Sequence, residues 1–460
     1  MRTADEAFHQ YTQALRAFTE GNYRDAVRGA RNLLPSLRTA RDPAVVEVRL
    51  ETIRLLLDAS ELWWSTGSSS GTEPEPAHDD LVDEARQVAV ILGNQRSRAV
   101  AALLRGRHLI GSNGLGRAVA AFAEAARLAE DAGDDLLLLD ALTLQGHHTV
   151  GRSITKGAAL LAEAQRIAER IADRRGPDAA GPAFAHWTLR IAKLDCVRGV
   201  AEFDLGHFDT GERLLRQALV VATAADLHDQ RATSTNYLCQ LLIAAGRFGE
   251  AEATLTREID LLGGYAADSP HQAYNRALLG KTRIEDARPD DAGPEIEIAW
   301  GLLEKRPHHG ILTLVRNYLA ELLLQPRYTG RDLGTAENLL RESIWECRRT
   351  DFQRSEVAAL CLLSLVRQEL GDSAAAVRHS AGAVELLEAA GGTMPALRTE
   401  EVYHRHYVAL SGVGREVDAA DALRKARRCI LAKADSIADP GLRTTFLQRV
   451  PLNRAALTEG

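Results

Sequence analysis

The sequence is short of several things at once. Aromatic residues make up only 5% of the 460 positions, and the 14 prolines are about 3% against a usual share of about 5%. So few β-formers and so few breakers argue against strands and for helix. Lysine is almost absent: six of the 56 basic residues, Lys156, Lys193, Lys281, Lys305, Lys425 and Lys433, leave arginine to carry the rest, as GC-rich codons would. A net charge of −7 argues against a general nucleic-acid-binding surface. The five cysteines are odd in number, scattered and never in a CxxC pair, so neither a disulfide framework nor a zinc site is signalled and reduced thiols are expected. No stretch approaches the roughly 18 uncharged apolar residues of a membrane span, and residues 1–10 hold Arg, Asp and Glu with no apolar run. A cytoplasmic protein is the expectation.

Catalytic signatures are missing too. There is no GxxxxGK[ST], no GxGxxG after a strand, no HExxH, no GxSxG and no kinase motif set. The glycine-rich GSNGLGR at 111–117 lacks a preceding strand and reads as a turn between helices. Histidines occur as His147-His148, His308-His309 and His404-Arg405-His406, whereas two ligands on one helix face need a spacing of three or four. The expectation is no enzyme, no cofactor and no metal. Trp63-Trp64 reads as core packing at a helix end, and the basic run 424–428 as a solvated face.

What is present is self-similarity. With 45% hydrophobic residues the chain should fold, and its length allows two or three compact domains or one repeat array, whose units pack only on their neighbours. GNYRDAVRGA from Gly21, GHFDTGERLLRQAL from Gly206, GRFGEAEATL from Gly246 and GDSAAAVRHSAGAV from Gly371 share a glycine turn followed by small residues. The small positions Ala118, Ala158, Gly211, Ala251, Ala292, Ala336, Ala376 and Ala419 follow one another at 40, 53, 40, 41, 44, 40 and 43 residues. Within a unit, Leu214, Leu215, Ala218, Val221 and Ala222 make one helical stripe. Asp134-Asp135 and Ser269-Pro270 mark helix starts, and Gly263-Gly264 and Gly391-Gly392 mark ends.

This pattern resembles the tetratricopeptide repeat, with a period longer than that family's usual 34 or so residues, and is similar to the sensor arrays of bacterial, in particular actinobacterial, regulators. The resemblance implies an all-α, right-handed superhelical solenoid of antiparallel A/B helix pairs. It also implies a small residue twelve positions before each helix B alanine, met here by Gly106, Gly146, Gly199, Cys239, Gly280 and Ser364. A bulky side chain there would hold the crossing helices apart. The array is expected over 1–435, interrupted by a flexible polar loop at 67–78, a long loop at 173–182 and a lengthened turn at 325–332. A helical cap is expected over 436–460, where Asp439-Pro440 starts a helix and Val450-Pro451 stops it.

In such an array the A helices line the groove. Counting back from each small residue nominates Arg107, Asp140, His147, Lys193, Asn236, Gln240, Lys281, Asn317, Glu321 and His404 as a ligand-binding strip. Asn236 with Gln240, and Asn317 with Glu321, are i, i+4 pairs that offer two hydrogen-bonding groups to one spot. An amide both donates and accepts, as the clamping of a peptide backbone requires, while Lys281, Lys193 and Arg107 would steer acidic groups. The function expected is a non-enzymatic scaffold or sensor that captures a peptide or protein segment and relays the event to a partner. The alternatives are a small-molecule or catalytic pocket built on His147, Asp140 and Glu321 in a biosynthetic or defence pathway, and a homo-oligomeric structural piece. No direct nucleic-acid or membrane partner is expected.

Overall fold

A computed structural model describes residues 4–20, 22–65, 78–111, 115–175, 182–305, 307–350 and 352–459. The loop expected at 67–78 lies outside these apart from His78, as do 112–114 of the glycine-rich turn, 176–181 of the long loop, and the side chains of Trp63 and Trp64. The described residues contain helices and turns and no strand. They divide into two compact units, one of residues 1–149, 156–197 and 218–231, the other of residues 150–155, 198–217 and 232–460.

The first unit holds α1 (Ala4–Thr19), α2 (Tyr23–Leu37), α3 (Pro43–Ser65), α4 (His78–Leu92), α5 (Gln95–Gly111), α6 (Leu115–Asp131), α7 (Asp135–Val150) and α8 (Ile154–Arg175). The unit boundary passes through α9 (Pro182–Asp204), α10 (Phe208–Ala224) and α11 (His228–Ala244), and it also assigns the last residue of α7 and the first two of α8 to the second unit. In the second unit follow α12 (Phe248–Tyr265), α13 (Pro270–Glu285), α14 (Pro289–Lys305), α15 (His309–Leu324), α16 (Leu333–Thr350), α17 (Gln353–Glu369) and α18 (Ser373–Ala389). It ends with α19 (Thr399–Ser411), α20 (Glu416–Asp435), α21 (Pro440–Arg449) and α22 (Pro451–Thr458). From α1 to α6 in the first unit and from α12 to α20 in the second, each helix packs mainly on the next in sequence, and α13, α15, α17 and α19 also pack on one another, so in the second unit they form a continuous layer of A helices.

The small positions mark the helix crossings. A Cβ on Gly106 would stand 2.5 Å from the Phe122 ring, and one on Gly280 would overlap Ile296 and lie 3.2 Å from the Ala292 carbonyl. Gly146 and Gly199 face Leu161 and Leu215 in the same way. Where the position carries a side chain, that side chain bonds the backbone twelve residues on: Ser364 Oγ donates to the Ala376 carbonyl at 2.9 Å and Cys239 Sγ to that of Ala251 at 3.7 Å. Turns between paired helices place Gly206, Gly246 and Gly371 at positive φ, where an L side chain is strained.

Two local expectations need adjustment. Ser269 caps α13 through the Gln272 N–H, as anticipated, but Gly263-Gly264 does not end α12, which runs on to Tyr265. Leu262 and Ala266 are buried against Ala232, and that packing holds the last turn helical against the low propensity of two glycines. The C-terminal segment also reaches further than the last repeat. Besides packing on α19 and α20, it sets Phe446 edge-on to Phe208 at 5.4 Å, and the Ala438 N–H donates to Asp209 at 2.8 Å. The second unit is thereby closed on itself, its final helices lying against the turns at Gly206 and Gly246.

Candidate functional site

The A helices of the second unit share a wall built from recurring residue types. Asn236 on α11 donates through Nδ2 to Asn275 Oδ1 on α13 at 2.8 Å, and its own Oδ1 accepts from Gln240 at 2.8 Å. Asn317 on α15 donates to the Ser355 carbonyl on α17 at 3.0 Å and accepts from Ser343 Oγ at 2.7 Å. Both asparagines are buried. In this structure their amides tie one A helix to the next, which accounts for a poor helix former in a helix interior.

C-terminal to these ties the wall opens into a cavity of about 140 Å³. Gln240, Lys281, Asn317 and Glu321, nominated from the sequence, line it together with Asp204, Tyr318, Cys361, Arg398, Glu401 and Lys433. Its rim includes the link between α18 and α19, where Ala396 and Leu397 precede Arg398.

The cavity's charges are almost all mated. Lys281 Nζ lies 2.5 Å from Glu321 and 2.9 Å from Glu285, and Arg398 lies 2.7 Å from Glu285 and 2.9 Å from Glu401. Arg405 pairs with Glu401 at 3.2 Å and Lys433 with Glu400 at 2.6 Å. Burial alone would raise the Glu285 carboxyl; the Arg398 guanidinium and the Lys281 ammonium overcome it and hold the group down at about 2. For Lys281, burial disfavours the charge, but Glu285 and Glu321 outweigh it and push the ammonium up. Asp204 stands apart. Its Oδ1 accepts from the Ala396 N–H at 2.6 Å, its Oδ2 is buried without a hydrogen-bond partner, and burial pushes its carboxyl up to about 7.

The remaining nominees lie elsewhere. Arg107, Asp140, His147 and Lys193 belong to the first unit. There Arg107 pairs with Asp58, and Asp140 sits between Arg190 at 2.6 Å and Arg54 at 3.0 Å. The His147 ring meets His148 edge-on at 4.7 Å, so these neighbours do not point apart, and burial with the nearby Lys193 charge lowers the His147 imidazole to about 4. Lys193 is exposed. His404 is in the second unit but outside the cavity lining, bonded through Nε2 to Glu459 at 2.8 Å.

No family model and no curated protein matches the sequence. Solved structures do match in fold. The Rap conjugation gene regulator of the plasmid pLS20, in complex with the Phr* peptide, is 12% identical at a TM-score of 0.51, over 84% of this chain and 96% of that one. The apo quorum sensor NprR of B. thuringiensis is 10% identical at 0.53, over 83% and 99%. Aspartyl phosphate phosphatase F of Bacillus subtilis is 11% identical at 0.50, over 84% and 95%. The fold is a tetratricopeptide-like helical repeat array.

Within the tetratricopeptide-like array, sequence reasoning missed Asp204, Arg398 and Glu401, which enter the cavity from a helix end and from a link between repeats. It also passed over Tyr237, Tyr274 and Tyr318, although Asn236-Tyr237, Tyr274-Asn275 and Asn317-Tyr318 recur at about the repeat spacing and could have been found that way.

Proposed function

We propose that this protein is a non-catalytic, regulatory peptide sensor that takes a peptide segment along the A-helix wall of its second unit and relays occupancy to a partner protein. The observation that carries this is the cavity itself. It collects polar side chains from α11, α13, α15, α19 and α20 at one place, over an apolar floor from α17, and its volume suits one or two anchoring side chains of a longer ligand. Gln240, Lys281, Asn317 and Glu321 are the wall residues assigned to contact. The fold neighbours support the reading: a Rap regulator in complex with a peptide and a quorum sensor share the architecture. Burial of Lys281 and its two carboxylates in a preformed network lowers the ordering required when a guest arrives.

The test is selection of a random heptapeptide library on the immobilised full-length chain, followed by hydrogen exchange with a retained peptide. The expected result is retention with protection of α11, α13, α15 and α17. Failure to retain any peptide at about 100 μM, or protection confined to other helices, overturns the assignment.

A further inference from the structure

One oxygen of the cavity wall has no hydrogen bond. Asp204 enters from the end of α9 and is held by the link between α18 and α19, where the Ala396 N–H donates to its Oδ1 at 2.6 Å. Its Oδ2 is buried and, among the described residues, meets no donor. Arg354 and Lys433 attract the carboxylate through space, but that attraction is not a hydrogen bond and leaves the oxygen unmatched. A buried acceptor is unfavourable unless a guest or solvent supplies the donor. Ala396 itself stands at φ 48°, in the left-handed region that alanine rarely adopts, so the link is strained at the residue that orients the carboxyl.

A cation with donors to spare shares that wall. Lys433 on α20 lines the same cavity, and its side chain runs past Gly206, two residues after Asp204, with Cγ 3.4 Å from where a Gly206 Cβ would stand. An ammonium has three N–H donors. The Glu400 carboxylate takes one of them at 2.6 Å, and among the described residues the other two are unused. The cavity's other cations offer a guest less, since Lys281 meets Glu321 and Glu285, and Arg398 meets Glu285 and Glu401.

An acceptor and a donor on one wall select among guests. A carboxylate would accept from Lys433 but has nothing to give Asp204 Oδ2, and the two negative charges would repel. An ammonium would donate to Asp204 but be repelled by Lys433. A hydrocarbon would leave both groups unmatched. A primary carboxamide carries an N–H and a C=O on one edge and satisfies both. A trans backbone amide does not, because its N–H and C=O point in opposite directions. The cavity, about 140 Å³, has room for one such side chain.

We infer that Asp204 Oδ2 and the Lys433 ammonium form a subsite for a primary carboxamide of the bound peptide, the side chain of an Asn or a Gln. Asp204 accepts from the amide N–H and Lys433 donates to the amide oxygen, while Ala396 and Glu400 hold the two groups in place. This inference rests on the peptide reading above.

The test uses fluorescent heptapeptide pools, acetylated and methylamidated so that the ends carry neither charge nor primary amide, on the full chain at pH 8, where the Asp204 carboxyl, raised to about 7, is ionised. Each pool holds one residue from a set of matched shape, Asn or Gln, Asp or Glu, Leu or Met, and a fourth pool holds one Lys; the other positions are uncharged residues outside those sets. The Asn/Gln pool should bind at least about 10-fold more tightly than the others, since a hydrogen bond to a charged group is worth about that much or more. Splitting it into Asn and Gln identifies the source of the amide. Asp204→Asn keeps an acceptor for the Ala396 N–H but turns the free oxygen into a donor, so the preference should pass to the Asp/Glu pool. Lys433→Met should lower the preference for the amide, and a melting curve for each variant separates loss of preference from loss of fold. A wild-type preference for any other pool, equal binding of the Asn/Gln and Leu/Met pools, or an unchanged preference in a folded Asp204→Asn variant overturns the subsite and leaves peptide binding standing. Binding of none of the pools removes the peptide reading and the subsite together.

Discussion

Replacing Gly280 by alanine should destabilise the protein although alanine is the better helix former. In the interior of α13 the substitution gains about 1 kcal/mol of intrinsic propensity. Against this, the added Cβ would overlap Ile296 Cγ1, lie 2.9 Å from its Cδ1 and 3.2 Å from the Ala292 carbonyl. Ile296 and Ala292 are both 0% exposed, so neither can step aside into solvent, and the crossing of α13 over α14 has to widen. Overpacking of that kind costs about 1–3 kcal/mol, with backbone as one of the obstacles placing Gly280 at the upper end. The net expectation is a loss of about 1–2 kcal/mol, the difference between those two terms. Gly301, inside α14 with nothing within 4 Å of its would-be Cβ, is the control, and Gly301→Ala should stabilise by up to about 1 kcal/mol. Because long repeat arrays can unfold in parts, the assay is native-state hydrogen exchange of α13 and α14 amides beside the urea midpoint. In a double-mutant cycle, Ile296→Ala should relieve part of the Gly280→Ala cost. Equal stabilisation by Gly280→Ala and Gly301→Ala would refute the reasoning, because the crossing would then have room for a methyl group.

Three further outcomes follow from charge. The Asp204 carboxyl, raised to about 7 by burial against the pull of the Ala396 N–H, Arg354 and Lys433, binds its proton more tightly folded than unfolded, so its contribution to stability falls as pH rises from about 4 to 7. Asp204→Asn should therefore be more stable than wild type at pH 8, by about 1–4 kcal/mol, with the gap closing below pH 4 in urea titrations; an unchanged gap between pH 4 and 8 would count against this. His147 works in the opposite sense. Its imidazole is lowered to about 4 by burial and the Lys193 charge, so its contribution is present above about 6.5 and is lost as pH falls towards 4, and His147→Gln should flatten that slope as read by exchange in α7. Lys281→Met strands Glu321, whose side chain is 12% exposed, while Glu285 keeps Arg398, and should cost about 3–5 kcal/mol in the urea midpoint; a loss under 1 kcal/mol would mean that solvent already screens Glu321.

The fold was legible because steric necessity writes it into single positions. Gly106, Gly146, Gly199 and Gly280 can be nothing larger, so the spacing of small residues records each helix crossing. The site was legible only in part. Counting back from those positions finds Gln240, Lys281, Asn317 and Glu321, since all lie on A helices at a fixed register. It cannot find Asp204 and Ala396, which meet across 192 residues of chain, and it cannot tell that His404 faces Glu459, a residue brought in by the C-terminal segment. Nor does a charged residue reveal its partner. Lys281 reads as a free cation in the sequence, yet Glu321, one repeat later, neutralises it.

The shortage of aromatic residues has a spatial counterpart. A crossing that admits only Gly, Ala, Ser or Cys has room for few rings, and a ring kept there needs a residue without a side chain opposite it, as Phe122 has in Gly106. Three of the nine tyrosines, Tyr237, Tyr274 and Tyr318, stand half-buried on successive A helices, and Arg354 follows on the next. Tyr274 and Tyr318 pack on the core formed by Ala273, Ala277, Ala299, Leu303 and Val315, and the asparagine ties join α11 to α13 and α15 to α17 without their hydroxyls. A tyrosine on this wall buries its ring and keeps its hydroxyl for polar neighbours, as Tyr274 does in accepting from Gln240, so ring and hydroxyl serve different partners.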